Sequence, residues 1–198
     1  MQAARGTALT LPGDDPAPAR APIQHRPGRR LGLVLVVAAT AYALDALSKV
    51  AVVANLTPGQ PRRWLGGAVY LLLTRNSGAA FSLGAGATVV LTAVAVAVVV
   101  LIVRVATRLR SIGWAVALGL VLGGALGNLT DRLVRAPGVG RGRVVDFISV
   151  FADDGHIWPI FNLADSAIVC GGILAALLAL RGIEFDGTRA STRRAVRG

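Results

Sequence analysis

Two aspartates stand in apolar company. Asp146 lies inside Val144-Val145-Asp146-Phe147-Ile148, and Asp165 closes Phe161-Asn162-Leu163-Ala164-Asp165 at the start of an apolar run. If the two meet, a low-dielectric site disfavours ionising both, and the pair shares one proton. One carboxylate can then activate a water while the other protonates a carbonyl or a leaving amine. Aspartyl hydrolysis is the reaction such a pair suits best.

Other chemistries find less support. No His-Glu-x-x-His occurs, and the two histidines, His25 and His156, are isolated, which argues against a zinc protease. His156 beside Ser77 or Ser82 would suggest a serine hydrolase, but the chain has no Gly-x-Ser-x-Gly elbow. Next to Ile157-Trp158-Pro159, His156 reads better as an interfacial turn residue. Cys170, the one cysteine, cannot form an internal disulfide, and amid Gly, Ile and Val it reads as an inert packing residue.

The elements that must position these carboxylates are membrane spans. The chain has 198 residues, 54% hydrophobic and 16% charged, with a mean hydropathy of +0.63. Soluble domains sit near 45–50% apolar and about 25% charged. Disorder as the main state, a disulfide-rich scaffold and a collagen-like fibre are excluded. Four apolar runs stand out: Leu31–Val53, Phe81–Val103, Ile112–Leu129 and Leu163–Leu180. Each is long enough to cross a hydrocarbon core of about 30 Å at about 1.5 Å per residue. A cleavable signal peptide competes for the first run, since Arg29-Arg30 precedes Leu31 and Ala-x-Ala triplets follow, but the apolar character continues to Val53.

Four spans put both termini on one side, and basic residues say which. Of the 21 Lys and Arg, thirteen fall between Arg5 and Arg30, Arg104 and Arg110, and Arg181 and Arg197. The positive-inside rule makes both tails and the 104–110 connection cytoplasmic, with the 54–80 and 130–162 connections outward. The same clustering at span ends, without a basic face of interleaved aromatics, excludes nucleic acid as the expected partner. Trp64, Tyr70 and Trp158 fall in the outward connections, where amphipathic rings favour the interface. Tyr70–Thr74 reads as a strand. The expected fold is therefore an all-α membrane protein, a four-transmembrane-helix bundle with a small extracytoplasmic β-containing cradle. Residues 1–30 form a disordered cytoplasmic tail, 31–181 the membrane domain, and 182–198 a basic cytoplasmic tail. Both tails suit anionic headgroups, although positive-inside anchoring alone accounts for them.

Polar residues at membrane depth are costly, about 2.5–3.5 kcal/mol for an ionisable group at a span centre, so each calls for a partner or a task. Six of the ten acids, Asp45, Asp131, Asp146, Asp153, Asp154 and Asp165, map to the outer half. Asp45, Ser48 and Lys49 share a helix face, as do Asn128, Asp131 and Arg132, and Asn162 with Asp165. The plainer reading makes these interfacial caps and ion pairs, with Lys49 snorkelling outward. Gly119, Gly123 and Gly127 are spaced to let another helix approach closely. Asn76-Ser77-Gly78-Ala79-Ala80-Phe81 reads, alone, as a glycine-containing turn.

Taken together, five stretches resemble a known family. Asp45-x-x-Ser48-Lys49, Asn76-x-Gly78-Ala79-Ala80-Phe81, Gly127-Asn128-x-x-Asp131-Arg132, Val145-Asp146-Phe147 and Phe161-Asn162-x-Ala164-Asp165 are similar, in order, to the motif blocks of the signal peptidase II family. The resemblance covers about residues 31–181. It implies an intramembrane aspartyl endopeptidase of the bacterial cytoplasmic membrane that cuts diacylglyceryl-modified prolipoproteins before the lipid-bearing cysteine. It implies Asp146 and Asp165 as the catalytic pair. Asn128, Asp131, Arg132 and Asn162 would be a supporting polar shell, and Asn76 would contact the substrate backbone. Asp45 and Lys49 would be structural, no metal or organic cofactor is implied, and sensitivity to globomycin-type cyclic peptides would follow. The rival is a small transporter or channel whose aspartates relay protons, but a relay needs acids at successive depths rather than near one face. A soluble enzyme stands further off, opposed by four apolar runs.

Overall fold

The computed structural model describes residues 29–78 and 84–189. Most of both tails, His25, Ser82 and the Ala79-Ala80-Phe81 end of the Asn76 block therefore lie outside the described residues. Four helices are long and apolar enough to cross a membrane: α1 (Leu31–Asn55), α2 (Gly84–Ala106), α3 (Ile112–Val134) and α4 (Leu163–Leu180). The fourth run matches its helix end to end. The third helix runs five residues past Leu129, which carries Asn128, Asp131 and Arg132 onto regular helical turns.

Local chemistry sets the helix ends. Ser111 caps α3 by accepting from the Trp114 N–H, and Asn162 caps α4 through a capping box with Asp165. After Asn55 the chain turns extended at Leu56, and Thr57-Pro58-Gly59 cannot continue a helix. Apolar side chains such as Leu35, Leu47, Val90, Leu101 and Ile173 project outward from α1, α2 and α4, as a hydrocarbon surround requires. α3 is the central helix and packs against the other three.

Glycines decide how closely. A Cβ on Gly119 would meet Val37 at 2.8 Å, and one on Gly123 would meet the Ala38 carbonyl oxygen at 2.5 Å. That stripe therefore serves α1 within the chain. A second set turns to α4: a Cβ on Gly124 would lie 2.4 Å from the Ala164 oxygen, and one on Gly171 would lie 2.6 Å from the Ala117 oxygen. Cys170, beside Gly171, is exposed on α4 rather than packed inside.

At the bundle end that carries Asn55, Val134 and Leu163 lies a three-stranded antiparallel sheet in the order β1 (Arg62–Trp64), β2 (Val69–Asn76), β3 (Val144–Val150). Thr74 pairs with Asp146 and Asn76 with Val144, past an irregularity between Leu71 and Thr74. Val52, Leu73, Val145 and Phe147 form the small core that joins sheet to bundle. At the far end of the sheet, Leu65 (φ 45°) and Phe151 (φ 63°) hold left-handed backbone that disfavours bulky side chains by roughly 1–3 kcal/mol each.

The opposite end of the bundle is also tied. Residues 183–189 fold back on the α2–α3 connection: the Arg110 and Ser111 N–H groups both donate to the Phe185 oxygen. Trp114 donates its indole N–H to Ile183 and packs on the Phe185 ring with centroids 4.4 Å apart.

Candidate active site

Asp146 comes from β3 and Asp165 from the first turn of α4, and one residue touches both. The Asn162 side chain donates to Asp146 Oδ1 at 2.6 Å, while its backbone N–H donates to Asp165 Oδ2 at 3.2 Å. Two more amides complete the set. Asn76 donates to Asp146 Oδ2 at 2.9 Å, and Asn128 donates to Asp165 Oδ1 at 2.7 Å. All four carboxylate oxygens of the pair thus accept from an asparagine.

Those amides point the right way for a physical reason. Each side-chain carbonyl is itself held by a donor: Asn162 by the Asp165 N–H, Asn76 by the Gly78 N–H, and Asn128 by Lys49 Nζ at 3.1 Å. With its oxygen engaged, each amide can present only its NH₂ to the carboxylates.

Lys49 anchors a deeper layer. It does not snorkel outward but is 1% exposed, paired with Asp45 Oδ2 at 2.8 Å and Asp131 Oδ2 at 3.0 Å. A lysine that left this site would strand two buried carboxylates, which outweighs the hydration its ammonium would regain. Each of those carboxylates holds the residue just before one aspartate of the pair: Asp131 accepts from the Val145 N–H, and Asp45 from the Ala164 N–H. Arg135 pairs with the other oxygen of Asp131, so two cations balance two carboxylates. Arg132 donates to the Asn128 backbone carbonyl at 3.3 Å and stands in electrostatic reach of Asp165 and Asp146.

The environment separates the two acids. Asp146 is 2% exposed, whereas Asp165 is half-buried. Burial pushes the Asp146 carboxyl up to about 6, and the Asp165 charge pushes the same way. Hydrogen bonds from Asn76 and Asn162, with the Lys49 charge, only partly offset this. The pair can therefore hold one proton up to about pH 6 and has the form needed to polarise a carbonyl while activating a water. A cavity of about 380 Å³ opens at Asp146 between Asn76 and Ser77 on one side and Gly155, Pro159 and Ile160 on the other.

Thus the expected residues Asn76, Asn128, Asp131, Arg132, Asn162, Asp45 and Lys49 converge around Asp146 and Asp165. Others stay apart. His156 and Asp153 are exposed, whereas Asp154, which pairs with His156 at 2.5 Å, lines the outer side of the cavity at Asp146. Among the described residues, no three His, Cys, Asp or Glu side chains gather as a metal cluster. Two contributors escaped the motif reading. Arg135 stands four residues after Asp131, the spacing that flagged Asp45 with Lys49. Gly124 stands three before Gly127, and only the packing partner reveals its use.

Comparison with known proteins follows the same lines. A profile of the family described as Signal peptidase (SPase) II matches residues 37–181. A lipoprotein signal peptidase of Rhodococcus jostii is 52% identical over 176 residues, which cover 89% of this chain and 86% of that one. One of Mycobacterium avium is 52% identical over 173 residues, covering 87% and 92%. A solved bacterial membrane enzyme superposes with a TM-score of 0.69 at 25% identity, covering 79% of this chain and 97% of the other.

Proposed function

The chain belongs to the signal peptidase II family, and on that premise we propose how its residues act. It is a multi-pass membrane aspartic endopeptidase that removes signal peptides from bacterial prolipoproteins. The proposal assigns catalysis to Asp146 and Asp165, and it is carried by one observation: asparagine donors hold all four oxygens of the pair in place.

In this reading Asp146 holds the shared proton and Asp165 is ionised. Asp165 takes a proton from a water that attacks the carbonyl before the diacylglyceryl-modified cysteine, while Asp146 gives its proton to the carbonyl oxygen. The neutral tetrahedral intermediate collapses as Asp165 passes its proton to the leaving amine nitrogen and the C–N bond breaks. Asp146 recovers its proton from the intermediate's hydroxyl as the new carboxyl forms. Arg132 offsets the charge of the pair. In the same reading Asn76, which is bonded to Asp146 and lines the cavity, meets the peptide backbone of the substrate.

The placement that suits this chemistry is the cytoplasmic membrane, with both termini cytoplasmic and the sheet against the outer leaflet. The clustering of Arg104, Arg108 and Arg110 with the terminal arginines supports it. Membrane lipids would then surround the spans, and globomycin-type cyclic peptides would compete for the cavity. A gel-shift cleavage assay on a diacylglyceryl-modified prolipoprotein tests the pair. Cleavage by the native chain and its loss in both Asp146→Asn and Asp165→Asn are expected. Activity surviving in either variant would move the chemistry elsewhere, with Asp131 the next suspect.

A further inference from the structure

The far end of the sheet presents apolar side chains that nothing among the described residues covers. Trp64, Leu65 and Phe151 are 57%, 64% and 68% exposed. They belong together: the Phe151 N–H donates to the Ala68 oxygen, and the Ala68 N–H closes the turn on Leu65. Leu65 and Phe151 are also the only non-glycine residues with positive φ among those described. Glycine or asparagine would adopt that backbone without strain. Keeping leucine and phenylalanine there, and holding both outward, indicates that the side chains have an apolar surround in use.

Two features identify the surround. The tip is tied to a membrane-crossing element, since Arg62 donates to the oxygen of Asn55, the last residue of α1. It therefore sits beside the level at which α1 leaves the hydrocarbon. Arg62 and Arg63 stand at its root, and Arg63 braces the turn by donating to the Gly66 oxygen at 2.7 Å. Arginines beneath an aromatic and aliphatic tip match the phosphate and upper acyl layers of a bilayer.

We propose that Trp64, Leu65 and Phe151 form a membrane-inserting tip that sinks into the lipid interface on the sheet side of the bundle. Val69 and Asn76 bound β2, so the tip lies about 20 Å along the strand from the Asn76 and Asp146 end. The sheet is then fixed at both ends, by the Val145 and Asp131 bond at one and by lipid at the other. That fixes the height of the aspartate pair relative to the bilayer surface. The inference rests on the sheet lying against a leaflet, and its readout is depth rather than catalysis.

The test uses the full chain in vesicles of phosphatidylcholine with phosphatidylglycerol. In a Cys170→Ala background, nitroxides are placed singly at Leu65→Cys, Phe151→Cys and Gln60→Cys. Relaxation by oxygen is expected to exceed relaxation by Ni(II)EDDA at 65 and 151, with the reverse at exposed residue 60. Water-like accessibility at either tip position overturns the proposal. A second measurement leaves the tip intact: with Trp114→Phe and Trp158→Phe, Trp64 emission should be quenched by lipids brominated high on the acyl chain. Quenching by aqueous iodide instead overturns it. Absence of cleavage by the native chain, with tip depth retained, would count against the proposed function alone.

Discussion

Asn162 and Asp165 hold each other: the Asp165 N–H donates to Asn162 Oδ1 at 2.9 Å, and the Asn162 N–H returns the bond to Asp165 Oδ2 at 3.2 Å. A carboxylate proposed for catalysis is thus also the third residue of a helix cap.

That double duty can be separated by substitution. Asn162→Ser keeps a capping oxygen but loses the reach to Asp146, so it should unfold near the native temperature while kcat falls by about tenfold to a thousandfold. Asn162→Ala loses the cap as well, and should be destabilised by a further 1 kcal/mol or so. Thermal unfolding beside the cleavage assay separates the two; equal unfolding temperatures would contradict the capping role.

Removing the Asp146 charge should stabilise the fold. Its folded pKa is raised from 3.8 to about 6, so the protonated form is favoured by folding. That contribution is fully present below the unfolded pKa and is lost as pH rises through about 6. Ionised at neutral pH, the carboxyl costs the fold up to about 3 kcal/mol, which Asp146→Asn avoids. The inactive variant should therefore melt above the native chain at pH 7.5, and the gap should close below about pH 4. For the same reason kcat/KM of the native enzyme should decline as pH rises through about 6, when the free pair loses its proton.

Lys49→Met should be among the most damaging single changes, at about 3–5 kcal/mol, because it leaves Asp45 buried with no cation and Asp131 with Arg135 alone. Neutralising both with Asp45→Asn and Asp131→Asn in the same chain should recover much of the lost stability. A triple variant less stable than Lys49→Met would mean that the bonds to Val145 and Ala164 outweigh the charge.

Gly124→Ala should displace the start of α4, since the new methyl would meet the Ala164 backbone at 2.4 Å. Ala164 precedes Asp165, so activity should fall well before the protein fails to fold. Gly172→Ala, facing open space on the same helix pair, is the control and should cleave normally.

Much of this was legible in the sequence because cost shows in composition. Apolar runs bounded by arginines gave the spans, and acids placed where water is scarce gave the candidate site. The remainder depends on contacts between distant segments. Nothing near Lys49 in the chain announces Asp131, which arrives only because Gly123 lets α1 and α3 touch. Without that third charge, snorkelling was the sensible expectation. Cys170 similarly looked like packing, because a single apolar helix does not reveal which face meets lipid. The strand at Tyr70–Thr74 was visible, but its register, which brings Asn76 beside Asp146, was not. The fold-back of Phe185 onto Trp114 lay in a segment whose arginines suggested only a tail.

The Asn162 and Asp165 cap also bears on drug resistance. An inhibitor that occupied the aspartate pair would touch the side chains that begin α4, on either side of the Ala164 that sits against Gly124 and Gly127. A bacterium that altered those contacts to escape the compound would loosen its own enzyme, so escape routes are narrowed to the outer rim of the cavity, around Gly155 and Ile160.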